Sequence, residues 1–382
     1  HEGAHPRMGA TDVCPLIPIK GVSVEECIKY SHLLAQKVGE KLKIPVFMYE
    51  KSASSKSREN LAKIRQGEYE GMSDKLQLKE WAPDYGPKKI NIKAGVTAIG
   101  VREFLIAYNV NLNTSDKKLA SDIALDIREA GRAKRDKDGK IIRDKKGVMV
   151  KVPGSLKSVK AVGWFLEEYN VAQVSMNLID YKITSVHKVF EEVRMQAQKR
   201  GLRVTGSELV GLIPLDSLLD AGKYYLKQQN KSCGVSDNQL IHIAVKSMGL
   251  DEMYPFNNNE KIIDYMIDDS QKLVDQTISN FADEVASDSP APGGGSISAL
   301  AGSLSASLIS MVANLSHDKK QFLNKKKIND IACSAQKLKN EFLILIDTDT
   351  KAFDKLMSSF RLPKKTDKEI KFRNQEILKM SK

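Results

Sequence analysis

The sequence has few cysteines, few aromatic residues and no long hydrophobic run. Its cysteines, at positions 14, 27, 233 and 333, show neither paired spacing nor a Cys/His ligand set, which argues against a disulfide framework or a zinc site. No stretch reaches the roughly 18 to 20 apolar residues that a membrane span requires. The first residues also lack the charged and then apolar order of a signal peptide. These absences predict a soluble cytoplasmic protein with no membrane span and no metal.

The composition allows two or three domains and indicates an anionic partner. The chain has 382 residues, and 41% of them are hydrophobic, which is enough for real cores. Lysine and arginine number 60 against 48 acidic residues, a formal charge of +12. Such an excess suits a polyanion, either nucleic acid or a substrate with several carboxylates.

The first dozen residues read HEGAHPRMGATD and combine ionisable side chains with turn-forming residues. A neutral imidazole such as that of His5 can pass protons near pH 7, and the guanidinium of Arg7 can hold a planar carboxylate or form a structural ion pair. Pro6 restricts His5 to extended backbone angles, and Gly9 permits a tight turn. Chemistry alone favours a solvated surface histidine over a catalytic one.

Three stretches together resemble one enzyme family. They read HPRMGATDVCP at residues 5–15, WAPDYGPKKINIKAG at residues 81–95 and SPAPGGGS at residues 289–296. The first two resemble glutamate formimidoyltransferases, and the third is similar to the opening of the cyclodeaminase module of bifunctional formimidoyltransferase-cyclodeaminases. The resemblance runs nearly end to end, with the three stretches in the family's order.

The resemblance implies a bifunctional folate enzyme of histidine degradation. A formimino group passes from N-formimidoyl-L-glutamate to tetrahydrofolate, and 5-formimidoyltetrahydrofolate then becomes 5,10-methenyltetrahydrofolate and ammonia. His5 matches the family's catalytic histidine, and one positioned imidazole that acts first as base and then as acid suits an exchange between two amines. Asp349 matches the catalytic aspartate of the cyclodeaminase. Asp347, two residues earlier on a predicted helix, points elsewhere and is the weaker candidate.

The second stretch matches the family's folate-binding loop. Its glycines let backbone amides approach a flat ligand, and its lysines suit the ligand's glutamate tail. Without the resemblance, such a turn is usually only a solvated loop. The resemblance assigns folate binding to Gly86, Pro87, Lys88, Lys89, Ile90, Asn91, Ile92, Lys93, Ala94 and Gly95.

Hydrophobic periodicity predicts an α+β fold. Residues 104–208 follow the order β-α-β-β-α-β of a ferredoxin-like unit. Before residue 104, the sequence predicts a strand, a helix and a second strand at 44–50 that lies beside the first. These elements are predicted to be the tail of a similar, incomplete subdomain. The predicted domains are an N-terminal transferase subdomain at 1–103, a C-terminal one at 104–268, a linker at 269–280 and a partial all-α cyclodeaminase module at 281–382.

The glycine run at residues 293–295 predicts the start of a helix. It lacks the Gly-Lys-Ser/Thr ending of a phosphate loop, so nucleotide binding is not predicted. Ser296 is the predicted N-cap of a helix rich in small residues, which extends to about residue 315. The predicted long helix at 328–360 carries Asp349.

The cofactor and partner predictions follow from the resemblance. The co-substrate is polyglutamated tetrahydrofolate, with no metal, and the family suggests a homo-oligomer that binds no nucleic acid. The first residue is not Met and the last helix has no stop signal, so the sequence predicts truncation at both ends and, as alternatives, a transferase-only or inactive fragment. An alternative of another class is a basic ferredoxin-like nucleic-acid binder, although the Lys/Arg-Gly-Phe/Tyr motif of such sheets is absent.

Overall fold

The computed structural model describes residues 7–267, 272–317, 319 and 324–380. They fall into two compact units, numbered 1–109 with 116–184 and 110–115 with 185–382. The fold is α+β, as predicted, with a helical C-terminal region.

The first unit opens with a three-stranded sheet of order β1-β3-β2, in which β3 pairs in parallel with both neighbours. The prediction that the strand at 44–50 lies beside the first strand is therefore wrong. All five residues of the central strand β3 are buried, as is typical of central parallel strands. The elements are β1 (Val13–Leu16), α1 (Val24–Lys41), β2 (Val46–Glu50), α2 (Leu61–Arg65), α3 (Glu68–Lys75) and β3 (Thr97–Val101).

Helix α1 begins with a capping box. The Ser23 hydroxyl accepts from the Glu26 amide at 3.1 Å, and the Glu26 carboxylate accepts from the Ser23 amide at 2.8 Å. The hydrogen bonds that the Glu26 carboxylate accepts from the Ser23 amide and from the Ser23 hydroxyl, the latter at 3.0 Å, lower the pKa of Glu26. Residues 23–26 read Ser-Val-Glu-Glu, the Ser-x-x-Glu pattern that is typical of a helix start.

The β-α-β-β-α-β order predicted for residues 104–208 is present. The strand order of the second sheet is β7-β8-β4-β9, so β8 separates the two strands that α4 connects, as in a split β-α-β unit. β7 and β8 pair antiparallel, and β5 and β6 pair at the two ends of the charged segment 134–150. The elements are β4 (Ile106–Leu112), α4 (Lys117–Ile127), β5 (Arg132–Ala133), β6 (Lys151–Val152), β7 (Val159–Leu166), β8 (Val171–Leu178), α5 (Val186–Lys199) and β9 (Val204–Val210).

The rest of the second unit is helical. In it, the segment after α6 packs against both long helices. A Cβ on Gly234 would lie 2.3 Å from the Ala332 side chain, and the Asn314 amide donates to the Gly234 carbonyl at 2.6 Å. The helices are α6 (Leu215–Gln228), α7 (Asp237–Met248), α8 (Asn258–Lys261), α9 (Ile263–Met266), α10 (Ile278–Val285), α11 (Gly294–His317), α12 (Lys325–Phe360) and α13 (Asp367–Met380).

Helix α11 is long and apolar enough to cross a membrane by length and composition alone. Serines and glycines interrupt its apolar residues, which is why no continuous apolar run of that length occurs in the sequence. Core helices of globular proteins pass the same test, and Ser303, Ala306, Ser310 and Ala313 are buried here. The helix is therefore weak evidence for a membrane span.

Candidate functional site

The opening motif forms a tight turn where the structure describes it. The Met8 amide donates to Asp12 Oδ1 at 2.8 Å, and the other carboxylate oxygen of Asp12 pairs with Arg65. Asp12 takes a positive φ of 59°, and Met8 is fully buried. His5, the predicted catalytic residue, lies outside the described residues, three positions before this fixed turn.

The turn packs directly against the end of the predicted folate loop. The Val96 amide donates to the Met8 carbonyl at 3.0 Å, and the Ala10 amide donates to the Ala94 carbonyl at 2.9 Å. A Cβ on Gly9 would lie 2.2 Å from the Val96 carbonyl oxygen. Gly95 has a φ of +71°, and its Cβ would lie 2.4 Å from the Met8 oxygen. Only glycine fits at either position, so the structure brings the two motifs together.

Side chains hydrogen-bond to the backbone of the predicted folate loop, residues 86–95. The Asn91 side-chain oxygen accepts from the amides of Lys93 at 3.1 Å and Ala94 at 3.0 Å, and the Tyr69 hydroxyl donates to the Ile92 carbonyl at 2.9 Å. At the other end, Gly86 lies so close to α1 that a Cβ on Gly39 would come within 2.5 Å of its nitrogen.

The loop presents both apolar and cationic groups to solvent. Ile92 is 78% exposed. The side chains of Lys88, Lys89 and Lys93 are exposed as well, whereas Gly95 is buried. An apolar side chain among three ammonium groups suits a ligand with a flat ring and an anionic tail.

Sequence reasoning missed the ion pair that anchors this loop. The Arg58 guanidinium lies 2.7 Å from Asp84, and their side chains are only 7% and 14% exposed. Arg58 also donates to the carbonyls of Glu80 and Ala82, at 2.8 and 2.7 Å, and Asp84 accepts from the Met48 amide at 2.8 Å. The aspartate of the Trp-Ala-Pro-Asp stretch was the one sign of this ion pair in the sequence. Its partner, Arg58, could not be identified because it lies in a Ser-rich segment without hydrophobic periodicity.

Arg7 makes two ion pairs with the first turn of α3. Its guanidinium lies 2.7 Å from Glu68 and 2.6 Å from Glu70. The hydrogen bond with Glu70 raises the pKa of Arg7 and lowers the pKa of Glu70. The structure thus shows the ion pair that the sequence left open, and the binding of a substrate carboxylate by Arg7 stays a prediction.

A second candidate site lies in the second unit, where α12 passes the start of α11. Asp349 is exposed on α12, and the Ser296 hydroxyl lies 3.1 Å from its Oδ2. Asp347 points elsewhere, because its Oδ1 accepts from the Leu273 amide at 2.7 Å. The two carboxylates therefore have separate surroundings, as their spacing on a helix predicts.

The prediction that Ser296 caps α11 is wrong. The helix begins at Gly294, and Ser296 lies inside it, fully buried. Its hydroxyl donates across to the Ile346 carbonyl on α12 at 2.9 Å. The glycines allow the helix to start before Ser296, although serine prefers the N-cap position. The Ser296 hydroxyl therefore bonds to the neighbouring helix α12 and does not cap its own helix. Within the described ranges, no group of three or more His, Cys, Asp or Glu side chains is placed to hold a metal ion.

Three family models match successive parts of the chain. The model of the formiminotransferase domain, N-terminal subdomain, matches residues 1–102, and the model of the formiminotransferase domain matches residues 107–268. The model described as formiminotransferase-cyclodeaminase matches residues 277–382.

Curated relatives match the chain over most of its length. The formimidoyltransferase-cyclodeaminase of Mus musculus is 41% identical over 377 residues, 97% of this chain and 66% of the mouse protein. The glutamate formimidoyltransferase of Streptococcus pyogenes serotype M1 is 43% identical over 230 residues, 60% of this chain and 70% of that protein. The glutamate formimidoyltransferase of Thermoplasma acidophilum is 39% identical over 229 residues, which are 59% of this chain and 68% of that protein. The chain thus spans about two thirds of the mouse relative's length.

Proposed function

Because this chain belongs to the formimidoyltransferase family, we propose that it transfers the formimino group of N-formimidoyl-L-glutamate to tetrahydrofolate and then deaminates the product. The observation that carries the first activity is the contact between residues 8–10 and residues 94–96, which joins the histidine motif to the folate loop. The match at 277–382 favours the bifunctional reading over a transferase-only protein, and the matches along the chain disfavour a nucleic-acid binder.

In the transfer step, His5 is the proposed proton carrier. Nitrogen 5 of tetrahydrofolate attacks the formimino carbon and forms a tetrahedral centre, and the bond to the glutamate nitrogen then breaks. The attacking nitrogen loses one proton and the leaving nitrogen gains one, so a single imidazole can accept the first and return it. The Asp12–Arg65 pair and the buried Met8 fix the turn that follows His5 in the sequence.

The folate loop is the proposed binding site of the pterin and its tail. Gly95 and Gly9 keep the loop against the histidine motif, and the ammonium groups of Lys88, Lys89 and Lys93 lie exposed beside it. Carboxylates of a polyglutamate tail suit these cations and the formal charge of +12. Polyglutamated tetrahydrofolate is therefore the proposed co-substrate, with no metal.

In the deamination step, Asp349 is the proposed acid and base. Nitrogen 10 attacks the formimino carbon, the carboxylate accepts the proton of that nitrogen, and the same proton passes to the departing nitrogen as its bond to carbon breaks. One more proton from solvent completes ammonia and leaves 5,10-methenyltetrahydrofolate as a cation. The family relationship further suggests a cytoplasmic homo-oligomer.

A coupled assay tests both activities. The full chain receives N-formimidoylglutamate and tetrahydrofolate, formation of 5,10-methenyltetrahydrofolate is followed by absorbance, and ammonia is measured separately. His5→Ala should abolish formimino transfer and leave deamination of added 5-formimidoyltetrahydrofolate intact, whereas Asp349→Ala should do the reverse. Equal loss of both activities in either variant, or no loss, would contradict the assignment.

A further inference from the structure

The carboxylate of Asp349 occupies the space that a side chain at position 295 would fill. A Cβ built on Gly295 would lie 2.2 Å from Oδ1, 2.5 Å from Cγ and 2.6 Å from Oδ2 of Asp349. These distances are far below van der Waals contact, so any side chain at position 295 would displace the carboxylate. At the preceding position the situation differs, because a Cβ on Gly294 would have no atom within 4 Å.

Ser296, the next residue, gives this carboxylate a hydrogen-bond partner. Its buried hydroxyl lies 3.1 Å from Asp349 Oδ2, 2.9 Å from the Ile346 carbonyl oxygen and 3.2 Å from the Thr350 hydroxyl. A hydroxyl has one proton to donate and two lone pairs to accept with. The Ser296 proton can therefore point to either Ile346 or Asp349 while the side chain stays in place.

We propose that Gly295 and Ser296 are positioning residues for Asp349 in the deamination reaction, an inference that rests on the proposed function of this site. Gly295 leaves the space in which the carboxylate lies. Ser296 donates to the carboxylate when Asp349 is ionised. When Asp349 carries the transferred proton, Ser296 turns its own proton to the Ile346 carbonyl and accepts from the carboxylic acid.

The physical basis is that the two states of an acid and base catalyst need different partners. An ionised carboxylate needs a donor, and a protonated one needs an acceptor for its own proton. A fixed donor serves only the first state, whereas a hydroxyl with a second acceptor beside it serves both. The Ile346 carbonyl, on the same helix as Asp349, supplies that acceptor. Neither state then leaves the buried hydroxyl without a bond.

The first test compares Gly295→Ala with Gly294→Ala in the full chain. In ammonia release from 5-formimidoyltetrahydrofolate, Gly295→Ala should lower kcat about 100-fold or more, because the added methyl displaces the carboxylate by about 1 Å. KM should change less than about twofold, since the added methyl acts on the carboxylate that transfers the proton and the loss is therefore in kcat. Gly294→Ala adds the same methyl into open space and should keep the kcat of the unmodified chain.

The second test compares Ser296→Ala with Ser298→Ala. Ser298 is exposed on the same helix, and its hydroxyl donates to the Gly294 carbonyl at 2.7 Å. Ser296→Ala should lower kcat about tenfold at unchanged KM, as expected for one charge-assisted hydrogen bond. Ser298→Ala should keep the kcat and the KM of the unmodified chain.

The outcomes separate the positioning role from the proposed function. Full ammonia release by Asp349→Ala would refute the function of this site. Loss in Asp349→Ala together with full release in Gly295→Ala would refute the positioning role alone. If the unmodified chain releases no ammonia, crystal structures decide the positioning role: the Asp349 carboxylate should move in Gly295→Ala and stay in Gly294→Ala, and an unmoved carboxylate in both would overturn it.

Discussion

His187, in the first turn of α5, is a buried imidazole with an incomplete set of partners. Its ring stacks on Tyr224 with centroids 4.5 Å apart, and Nε2 lies 3.2 Å from the Ser185 hydroxyl. Nδ1 is buried without a hydrogen-bond partner. Burial, aided by Lys188 and opposed by Asp220 and Glu191, lowers the pKa of His187 to about 4. The folded chain therefore holds this ring neutral.

This low pKa predicts an acid-sensitive fold. Between pH 6.5, the ordinary pKa of the group, and about pH 4, the unfolded chain binds a proton at His187 that the folded chain does not. The contribution of neutral His187 to the stability of the fold is therefore intact above pH 6.5 and is lost as the pH falls from 6.5 to about 4. The loss should reach about 3 kcal/mol at the lower limit, at ~1.4 kcal/mol for each pKa unit.

Urea unfolding at about pH 7.5 and at about pH 4.5 measures this effect. His187→Phe keeps the stacking on Tyr224 and cannot ionise, so its free energy of unfolding should fall less between the two conditions than that of the unmodified chain. The control is His242→Gln, at an exposed position of α7, which should keep the full dependence. Parallel curves for all three proteins would refute the role of His187.

At the scale of elements, the Arg58–Asp84 pair anchors the segment that leads into the proposed folate site. Both side chains are nearly buried, so Asp84→Ala leaves a buried guanidinium without its counter-charge. The free energy of unfolding should fall by about 3 kcal/mol, and KM for tetrahydrofolate should rise several-fold because the loop loses its anchor. Urea unfolding and steady-state kinetics measure the two effects.

The exposed pair of Lys246 and Asp251 provides the control. Lys246 is 60% exposed, and Lys246→Ala should cost less than about 1 kcal/mol, with KM unchanged. A similar small cost for Asp84→Ala would mean that the buried pair does not stabilise the loop.

A second prediction at this scale concerns the contact between the histidine motif and the proposed folate loop. Gly9→Ala would force the two segments apart, because the added methyl would lie 2.2 Å from the Val96 carbonyl oxygen, just after the loop, and 2.6 Å from the Ala94 carbonyl oxygen within it. Formimino transfer should fall about 100-fold or more, as expected when catalytic groups are misplaced by about 1 Å.

Ammonia release from added 5-formimidoyltetrahydrofolate should persist in Gly9→Ala, since that site belongs to the second unit. Gly71→Ala is the matched control. Gly71 lies in α3 with no atom within 4 Å of an added Cβ, so this change should leave transfer intact and slightly stabilise the helix. Unimpaired transfer by Gly9→Ala would show that the close approach is not needed.

Local signals identified most of the helices and strands. Helix α1 begins after the capping box at Ser23, and α4 begins after Asp116, whose side chain accepts from the Lys118 amide. The position of β3 and the contacts of Ser296 were not predictable in this way. Both depend on neighbours distant in sequence, which periodicity and capping preferences do not contain.

At the scale of the whole molecule, the excess of positive charge predicts a salt effect that depends on tail length. With polyglutamated tetrahydrofolate, KM for transfer should rise several-fold between about 50 mM and about 300 mM salt, because screening weakens the attraction between the carboxylates and the basic surface. With the monoglutamate, the rise should be much smaller. Equal salt dependence for both substrates, measured by steady-state kinetics, would exclude a role of the charge in holding the tail.

The sequence by itself determined the family, the α+β class, the order of elements from β4 to β9 and the candidate residues His5 and Asp349. These follow from contiguous motifs and from local periodicity. Only the tertiary structure decided that residues 8–10 lie against residues 94–96, that Arg58 neutralises Asp84 and that Gly295 and Ser296 surround Asp349. Each of these is a contact between segments far apart in the chain. Burial and backbone approach decide such contacts, and a linear pattern carries neither.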